Sequence, residues 1–556
     1  MYDPATSELI RSTPDLPDLD REGLPDRLAR AFAEIVSARV LLRESENGEE
    51  LLEDTIRFAR RLAQTNEALV AINPDRENRA AAGFVAATAY QLVHQAIALR
   101  DSDQPVSFVS PNTISPDVSA MLLFLVAGAS ADAAEVADSI RIPSGDWLQS
   151  ELILHLIMLA KGQVGRIRNR KRPPQDRLVS GTGGERANAA LYYRLLRGVR
   201  ALAFVLQGRR VRGMVDPIAV FSEVKSLAAG ASDLEDTFPE GAIAVFPGPF
   251  HLASLLIAAG SALMESAVVN LPPPDGVPED RWTEAMKTVA ETRPYLWRNH
   301  KDAVAQGYLK IGTSAAIGFP TGAGKSTTAQ LKIHATLLSG RKAVFLAPTH
   351  ALVDQTARDL RGAFPRATVR GERMDEFGFS GDSDELPDVM VMTPEACLLT
   401  SHMEPERFDD VGLLIFDECH LMHPSTDGDR RAIDAMLCIL GFTRVVPDAD
   451  IVLMSAMMKN TYELSGWLAE LTGRNSLALD NAWKPTRQLR GCVVYDEKRL
   501  ADLRKLLRNA RAKSSTAGVP AAVKRKLTAK PNAFFSLKQT WASQVRRDYA
   551  LVPLLN

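Results

Sequence analysis

Phe319-Pro-Thr-Gly-Ala-Gly-Lys-Ser-Thr327 follows the apolar run Ala315–Gly318 and opens an amphipathic stretch. A strand, a glycine-rich turn and a helix, in that order, form the setting in which backbone N–H groups wrap a phosphate. Gly322 and Gly324 let the chain curl so that successive N–H groups face inward. A helix starting near Lys325 aims its positive end at the same anion. Lys325 is predicted to reach the outer phosphates of a nucleotide, and the Ser326 hydroxyl to ligate Mg²⁺. Pro320, Thr321, Gly322, Ala323, Gly324, Lys325, Ser326 and Thr327 make up the expected nucleotide-binding set. Phe319 stands where a small residue is usual, with the Thr-Gly-x-Gly-Lys-Ser core intact.

Working outward, short apolar runs alternate with helical stretches: Ala315–Gly318, Ala343–Ala347, Val389–Met392, Leu413–Phe416 and Ile451–Met454. Such runs, bounded by turns, predict strands buried on both faces of a parallel sheet covered by helices. An α/β domain is expected over 291–490. Within it, Leu413-Leu-Ile-Phe-Asp-Glu-Cys-His420 is an apolar strand ending in two adjacent carboxylates. At the end of a strand beside the glycine turn, Asp417 is expected to hold the Mg²⁺ shell and Glu418 to orient the attacking water. Taken alone, adjacent acids after a strand also suit a solvated turn. Cys419 reads as a spacer.

Residues 1 to about 290 read as helical. Val85, Ala89, Val93 and Ile97 recur every four residues, and similar stripes occupy Leu51–Leu69, Glu151–Leu159, Ala189–Leu206 and His251–Val268. Asn73-Pro74, Pro111-Asn112, Gly181–Gly184 and Pro272-Pro273-Pro274 punctuate them. The expected division is a helical domain over 1–165, a second helical segment or its continuation over 166–290, the α/β domain, and a basic connector over 491–556. Lys161–Arg172 holds six basic residues and no acid, which suits either a solvated loop or a phosphate-contacting patch.

The chain has 556 residues, enough for three or four domains. With 46% hydrophobic and 24% charged residues, wholesale disorder is excluded. The net charge of −2 conceals a basic tail, since Lys498–Arg547 has 14 basic residues against the single acid Asp502. Phe534, Phe535 and Trp541 lie among those charges. They are candidates for stacking on bases, or for packing on a further domain. The four cysteines form no C-x-x-C pair, so reduced thiols are expected and a zinc site is not. Met1 is followed by no basic-then-apolar leader. Ala120–Ala129 and Leu152–Ala160 are about half the length of a bilayer crossing. A cytoplasmic chain with no membrane partner is the expectation.

Together the glycine loop, the Asp-Glu-Cys-His box and the segments between them resemble the first RecA-like domain of superfamily 2 helicases of the DExH class. Ala347-Pro-Thr-His-Ala-Leu-Val-Asp-Gln355 resembles motif Ia and Thr393-Pro-Glu395 resembles motif Ib. The resemblance implies that Pro348, Thr349, His350, Gln355, Thr393, Pro394 and Glu395 contact a nucleic-acid backbone. Ser455-Ala456-Met457 resembles motif III which, with His420, is implied to couple nucleotide state to domain movement. Met457 lacks the hydroxyl of the usual threonine. In Leu296-Trp-Arg-Asn-His300, His300 occupies the place of an adenine-reading glutamine, with one hydrogen bond to give instead of a bidentate pair.

The implied function is ATP hydrolysis with Mg²⁺, coupled to movement on single-stranded nucleic acid, DNA favoured over RNA. Bacterial defence or DNA repair is the expected setting by analogy of architecture. A second RecA-like domain, whose Gln-x-x-Gly-Arg-x-x-Arg signature does not occur here, is expected in the same gene product or in a partner subunit. Lys484-Pro-Thr-Arg487 resembles the exit from the first domain, and the helical half offers a surface for a protein partner. A rival reading is a nucleotide-switched regulatory subunit with little turnover. A GTPase is disfavoured by the lack of an Asn-Lys-x-Asp guanine reader.

Overall fold

The computed structural model describes residues 23–44, 49–73, 75–101, 106–171, 181–209, 215–229, 245–371, 386–423, 430–456, 458, 460–481, 483, 492–496, 505 and 549–553. The chain divides into two units, Met1–Pro485 and Thr486–Asn556.

Among the described residues the first unit begins with ten helices: α1 (Leu24–Glu44), α2 (Glu49–Ile72), α3 (Arg76–Arg100), α4 (Pro116–Val126), α5 (Ser130–Ser139), α6 (Trp147–Ala160), α7 (Val164–Asn169), α8 (Gly183–Leu206), α9 (Pro217–Ala229) and α10 (Pro247–Glu265). One continuous apolar core runs through them from Leu24 to Ala267. At its centre α4 is buried from Asp117 to Val126, as a helix apolar on every side must be. α10 is 19 residues long and apolar enough to cross a membrane, and it is mostly buried among α4, α8 and α9. Close packing fixes Gly248 at its start, because a Cβ there would stand 1.8 Å from the Ser110 carbonyl oxygen. The Gly181–Gly184 break is sharper than its composition suggests. Thr182 and Glu185 close a capping box, and Gly183 is already the first helical residue.

The core changes at Val268. The segment Val268–Ala290, including α11 (Glu279–Val289), buries Val268, Trp282, Met286 and Ala290 against the sheet that follows. The sequence reading groups that segment with the helical half. Its apolar face is a helical stripe like the others, and periodicity does not reveal which core a stripe joins. After α12 (Arg298–Ala305) come β1 (Ser314–Ile317), α13 (Lys325–Leu338), β2 (Lys342–Leu346), α14 (His350–Ala363), β3 (Val369–Gly371), β4 (Val389–Met392) and α15 (Pro394–Met403). β5 (Val411–Asp417), α16 (Arg430–Val445), β6 (Asp450–Met454), α17 (Thr461–Thr472) and β7 (Ser476–Leu479) complete the domain.

The seven strands form one parallel sheet in the order β3-β4-β2-β5-β6-β1-β7. Apart from a register shift between Val411 and Leu413, its residues alternate between two cores. Ala315, Ile317, Leu413, Ile415, Val452 and Met454 face α11, α13 and α14. Ala316, Leu414, Phe416, Ile451 and Leu453 face α15, α16 and α17. This is the doubly covered parallel sheet expected of the RecA-like fold, and such sheets present ligand sites at the carboxyl ends of their strands.

In the second unit, β8 (Cys492–Asp496) pairs antiparallel with β9 (Tyr549–Pro553). Phe534, Phe535 and Trp541, with the basic residues Lys524–Lys526, Arg546 and Arg547 of the same tail, lie outside the described residues, as do Met457 and Lys484–Arg487.

Candidate active site

The carboxyl ends of β1, β6 and β5, which are neighbours in the sheet, carry the glycine turn, Ser455 and the acidic pair respectively. Phe319 is 2% exposed and belongs to the core, so the departure at that position serves packing and leaves the turn intact. Gly322 and Gly324 have φ of 77° and 95°, in the left-handed region where glycine carries no steric cost. At Gly322 nothing lies within 4 Å of a Cβ position, leaving open space above the turn. The N–H groups of Gly322, Gly324, Lys325 and Ser326 make no backbone hydrogen bond among the described residues. Thr321, Gly322 and Ser326 are exposed. Unpaired N–H groups at the start of a 14-residue helix, beside a lysine and an exposed hydroxyl, fit a triphosphate and its divalent cation.

Lys325 Nζ lies 3.6 Å from Glu418 Oε1. Burial raises the pKa of the Asp417 carboxyl, and the Lys325 ammonium works against that rise. Glu418 is the only non-glycine residue with positive φ (54°) among the described residues. A left-handed glutamate costs on the order of 1 kcal/mol, and such strain gathers at sites where a side chain must be aimed. His420 Nδ1 is 3.1 Å from Ser455 Oγ and 3.2 Å from Glu418 Oε2. Ser455 Oγ donates to Glu418 Oε2 at 3.4 Å, and the Ser455 N–H donates to the Ile317 carbonyl beside the turn. His420 and Ser455 therefore both touch the Glu418 carboxylate directly, with Ala456 adjoining Ser455. Cys419 is 2% exposed and its thiol is pushed up to about 12 by burial next to Asp417 and Glu418, which excludes it as a nucleophile.

Two expected contacts are corrected. His300 is 3% exposed, and its two ring nitrogens meet the Trp297 N–H (3.2 Å) and the Gly324 carbonyl (3.1 Å). It props the phosphate turn from below, with neither nitrogen left for a base. A Cβ on Gly324 would come within 2.1 Å of its Nε2, a second reason for glycine there. Thr393 is 3% exposed and caps α15 by accepting the Ala396 N–H at 3.2 Å. Its hydroxyl caps the helix and is buried, unlike that of an exposed contact residue, and Pro394 is buried with it. Thr349 caps α14 in the same way, accepting the Leu352 N–H at 3.4 Å. It is exposed together with His350 and Gln355, and its hydroxyl proton remains free to donate.

Arg431, which the sequence reading passes over, ties the two loops together. Its guanidinium donates to the Pro348 carbonyl after β2 and to Glu395 Oε1 at the start of α15 (3.2 Å). It sits in a run of ordinary helix charges, so only tertiary structure identifies it.

A family model described as DEAD/DEAH box helicase matches residues 298–464. The ATP-dependent DNA helicase Hel308 of Thermoplasma acidophilum is 28% identical over 186 residues, which cover 31% of this chain and 25% of that protein. The RQC trigger complex helicase SLH1 of Saccharomyces cerevisiae is 31% identical over 170 residues, 28% of this chain and 8% of that protein. The antiviral helicase SKI2 of the same yeast is 25% identical over 209 residues, 37% of this chain and 15% of that protein. The chain thus spans a quarter or less of the length of these relatives. Residues 298–464, with their glycine turn, acidic pair and parallel sheet, are the part of the chain that is similar to DEAD/DEAH box helicases of superfamily 2.

Proposed function

We propose that the chain is the first RecA-like half of an ATP- and Mg²⁺-dependent helicase or translocase acting on single-stranded nucleic acid. The observation that carries this reading is the meeting of the phosphate turn, the acidic pair and Ser455 at adjacent strand ends, with Lys325 Nζ 3.6 Å from Glu418 Oε1. Lys325 and the unpaired N–H groups of the turn hold phosphate oxygens, and Ser326 and Asp417 hold the metal. Glu418 orients the attacking water, and the His420–Ser455 contact carries its state to the rest of the domain. When bound, the nucleotide with its metal supplies the phosphoanhydride bond and neutralises the charge developing on it. Thr349, His350 and Gln355 grip the sugar–phosphate backbone at the same end of the sheet, reading little sequence. The relatives named as DNA helicases favour DNA, and the antiviral relative agrees with a defence or repair role. Three buried free cysteines accord with a cytoplasmic location.

The test is ATP hydrolysis by the complete gene product, with and without single-stranded DNA or RNA. Strand-stimulated turnover is expected. Lys325→Ala should abolish nucleotide binding, whereas Glu418→Gln should bind ATP and lower turnover by at least about 10²-fold. Unchanged turnover in Glu418→Gln would refute the assigned role, and turnover indifferent to any nucleic acid would refute the motor.

A further inference from the structure

The segment leading into α12 contacts the phosphate turn, and among its buried side-chain polar atoms only Asn299 Oδ1 is left without a partner. The Trp297 N–H donates to Nδ1 of His300, so that nitrogen carries no proton. Nε2 then carries it and donates to the Gly324 carbonyl. The imidazole is therefore a neutral tautomer with both nitrogens used. Asn299, wholly buried, donates to the carbonyls of Ala323 and Trp483 at 3.1 Å each. His300 has no nitrogen left for a ligand, and the one unpaired acceptor, Asn299 Oδ1, is fully buried and out of reach of a base.

Beside the turn stand two partly exposed indole rings. The Trp297 ring stacks on His300 with centroids 5.7 Å apart and planes 11° from parallel. Trp483 lies 6.2 Å from Trp297 at 59°, and both indoles are only half-buried. The backbone of Trp483 is pinned on both sides, its N–H to Asn481 Oδ1 (3.0 Å) and its carbonyl to Asn299. Two indoles from segments about 190 residues apart are thus held one imidazole away from the phosphate turn, with ring surface to spare. The charged neighbour Arg298 is 60% exposed, 3.8 Å from Asp302. It is a donor, and adenine and guanine both carry an N7 acceptor.

Resting on the reading of the turn as a triphosphate site, we infer that Trp297 and Trp483 form a stacking platform for the base of the nucleotide, and that the site accepts either purine. Strong base discrimination requires polar groups that go unpaired with the wrong ligand. Stacking makes no such demand, because every base has a π face. Histidine at 300 has exchanged a reading role for a supporting one, and GTP should serve as well as ATP.

The test is calorimetric binding of ATP, GTP and inorganic tripolyphosphate, each with Mg²⁺, to the full chain. Kd values for ATP and GTP within about threefold of each other are expected, with tripolyphosphate roughly tenfold or more weaker for lack of a base. Trp297→Ala and Trp483→Ala should each weaken both nucleotides by a similar factor, about tenfold, and leave tripolyphosphate unchanged; Trp297→Phe should restore most of the loss. Unchanged tripolyphosphate binding also shows that the variants have folded. ATP binding more than about thirtyfold tighter than GTP would overturn the inference. So would nucleotide affinity indifferent to both alanine substitutions. If Lys325→Ala leaves tripolyphosphate binding intact, the triphosphate reading itself fails and the platform falls with it.

Discussion

At the scale of single residues, the site divides into groups defined by local chemistry and groups defined by burial. Gly322, Lys325, Asp417 and Glu418 stood out in the sequence because a phosphate turn and a metal-bearing strand end demand those residue types at fixed spacing. His300 and Thr393 did not show their roles, because a histidine or threonine looks the same whether it faces a ligand or supports a loop. Burial decides, and burial is a property of the folded chain. It also has a consequence for pH. Desolvation lowers His300 to about 4, against an ordinary value near 6.5, with the charge of Arg293 acting in the same direction and the Gly324 hydrogen bond opposing. Between those pH values the unfolded chain binds the proton and the folded one does not. Stability is therefore unaffected above about pH 6.5 and falls as pH drops toward 4, by about 3 kcal/mol from this group when the window is fully crossed. His334, lowered to about 4 by burial, acts with the same sign. Urea denaturation of native protein and His300→Gln at pH 7, 5.5 and 4.5 should give a shallower decline for the variant. Parallel declines would show that His300 is not the titrating group.

At the scale of elements, β1, β2, β4, β5 and β6 were legible, while β3 and β7 were not. The legible strands lie inside the sheet, covered on both faces, and so must be apolar throughout. β3 and β7 are the two edges. Val369–Gly371 is three residues long and half-covered, and Ser476–Leu479 has one fully buried residue, so neither needs an unbroken apolar run. Joining the elements around β1 is a buried charge cluster no motif announced. Lys332 on α13 is wholly buried, with its ammonium 2.8 Å from Asp450 Oδ2 and bonded to the carbonyls of Tyr308, Lys310 and Thr313. Asp450, 1% exposed, also accepts from Arg474 (2.7 Å) and the Gly312 N–H (3.1 Å). Breaking a buried pair by removing one partner costs about 3–5 kcal/mol, because the other charge is left uncompensated. Lys332→Met leaves Asp450 still paired with Arg474, whereas Asp450→Asn strands two cations. Asp450→Asn should therefore be the more destabilising, at the upper part of that range, with Lys332→Met near the lower end. The reverse order in denaturant midpoints would mean that the carbonyl cage around Lys332, and not the carboxylate, governs the cluster.

At the scale of the whole first unit, the helical half and the helicase domain are joined through the same segment that supports the phosphate turn. The Val268 N–H donates to the Pro294 carbonyl, the Leu296 N–H to the Ser266 carbonyl at 2.7 Å, and the Tyr295 hydroxyl to the Ala160 carbonyl. Trp297 and His300 follow immediately, so the segment bonded to the helical half is also the one that contacts the glycine turn. Nothing comparable among the described residues bonds across the open side of that turn. Among the described residues, the groups beside the turn are Lys325, Ser326 and the acidic pair, and on the proposed function all of these would act on the near side of the transferring phosphoryl group. Stabilising the charge on its far side in this class of engine falls to an arginine arriving from a second RecA-like domain, worth a factor of roughly 10³–10⁵ in turnover. The 556-residue chain alone should accordingly bind ATP and hydrolyse it that much more slowly than the assembly containing a second domain. Steady-state phosphate release measured across a range of chain concentrations, alone and in the full assembly, separates the possibilities. Fast release by the chain alone, strictly proportional to its concentration, would mean that the far side is served from within it. Fast release rising with the square of the concentration would mean that a second copy serves it in trans.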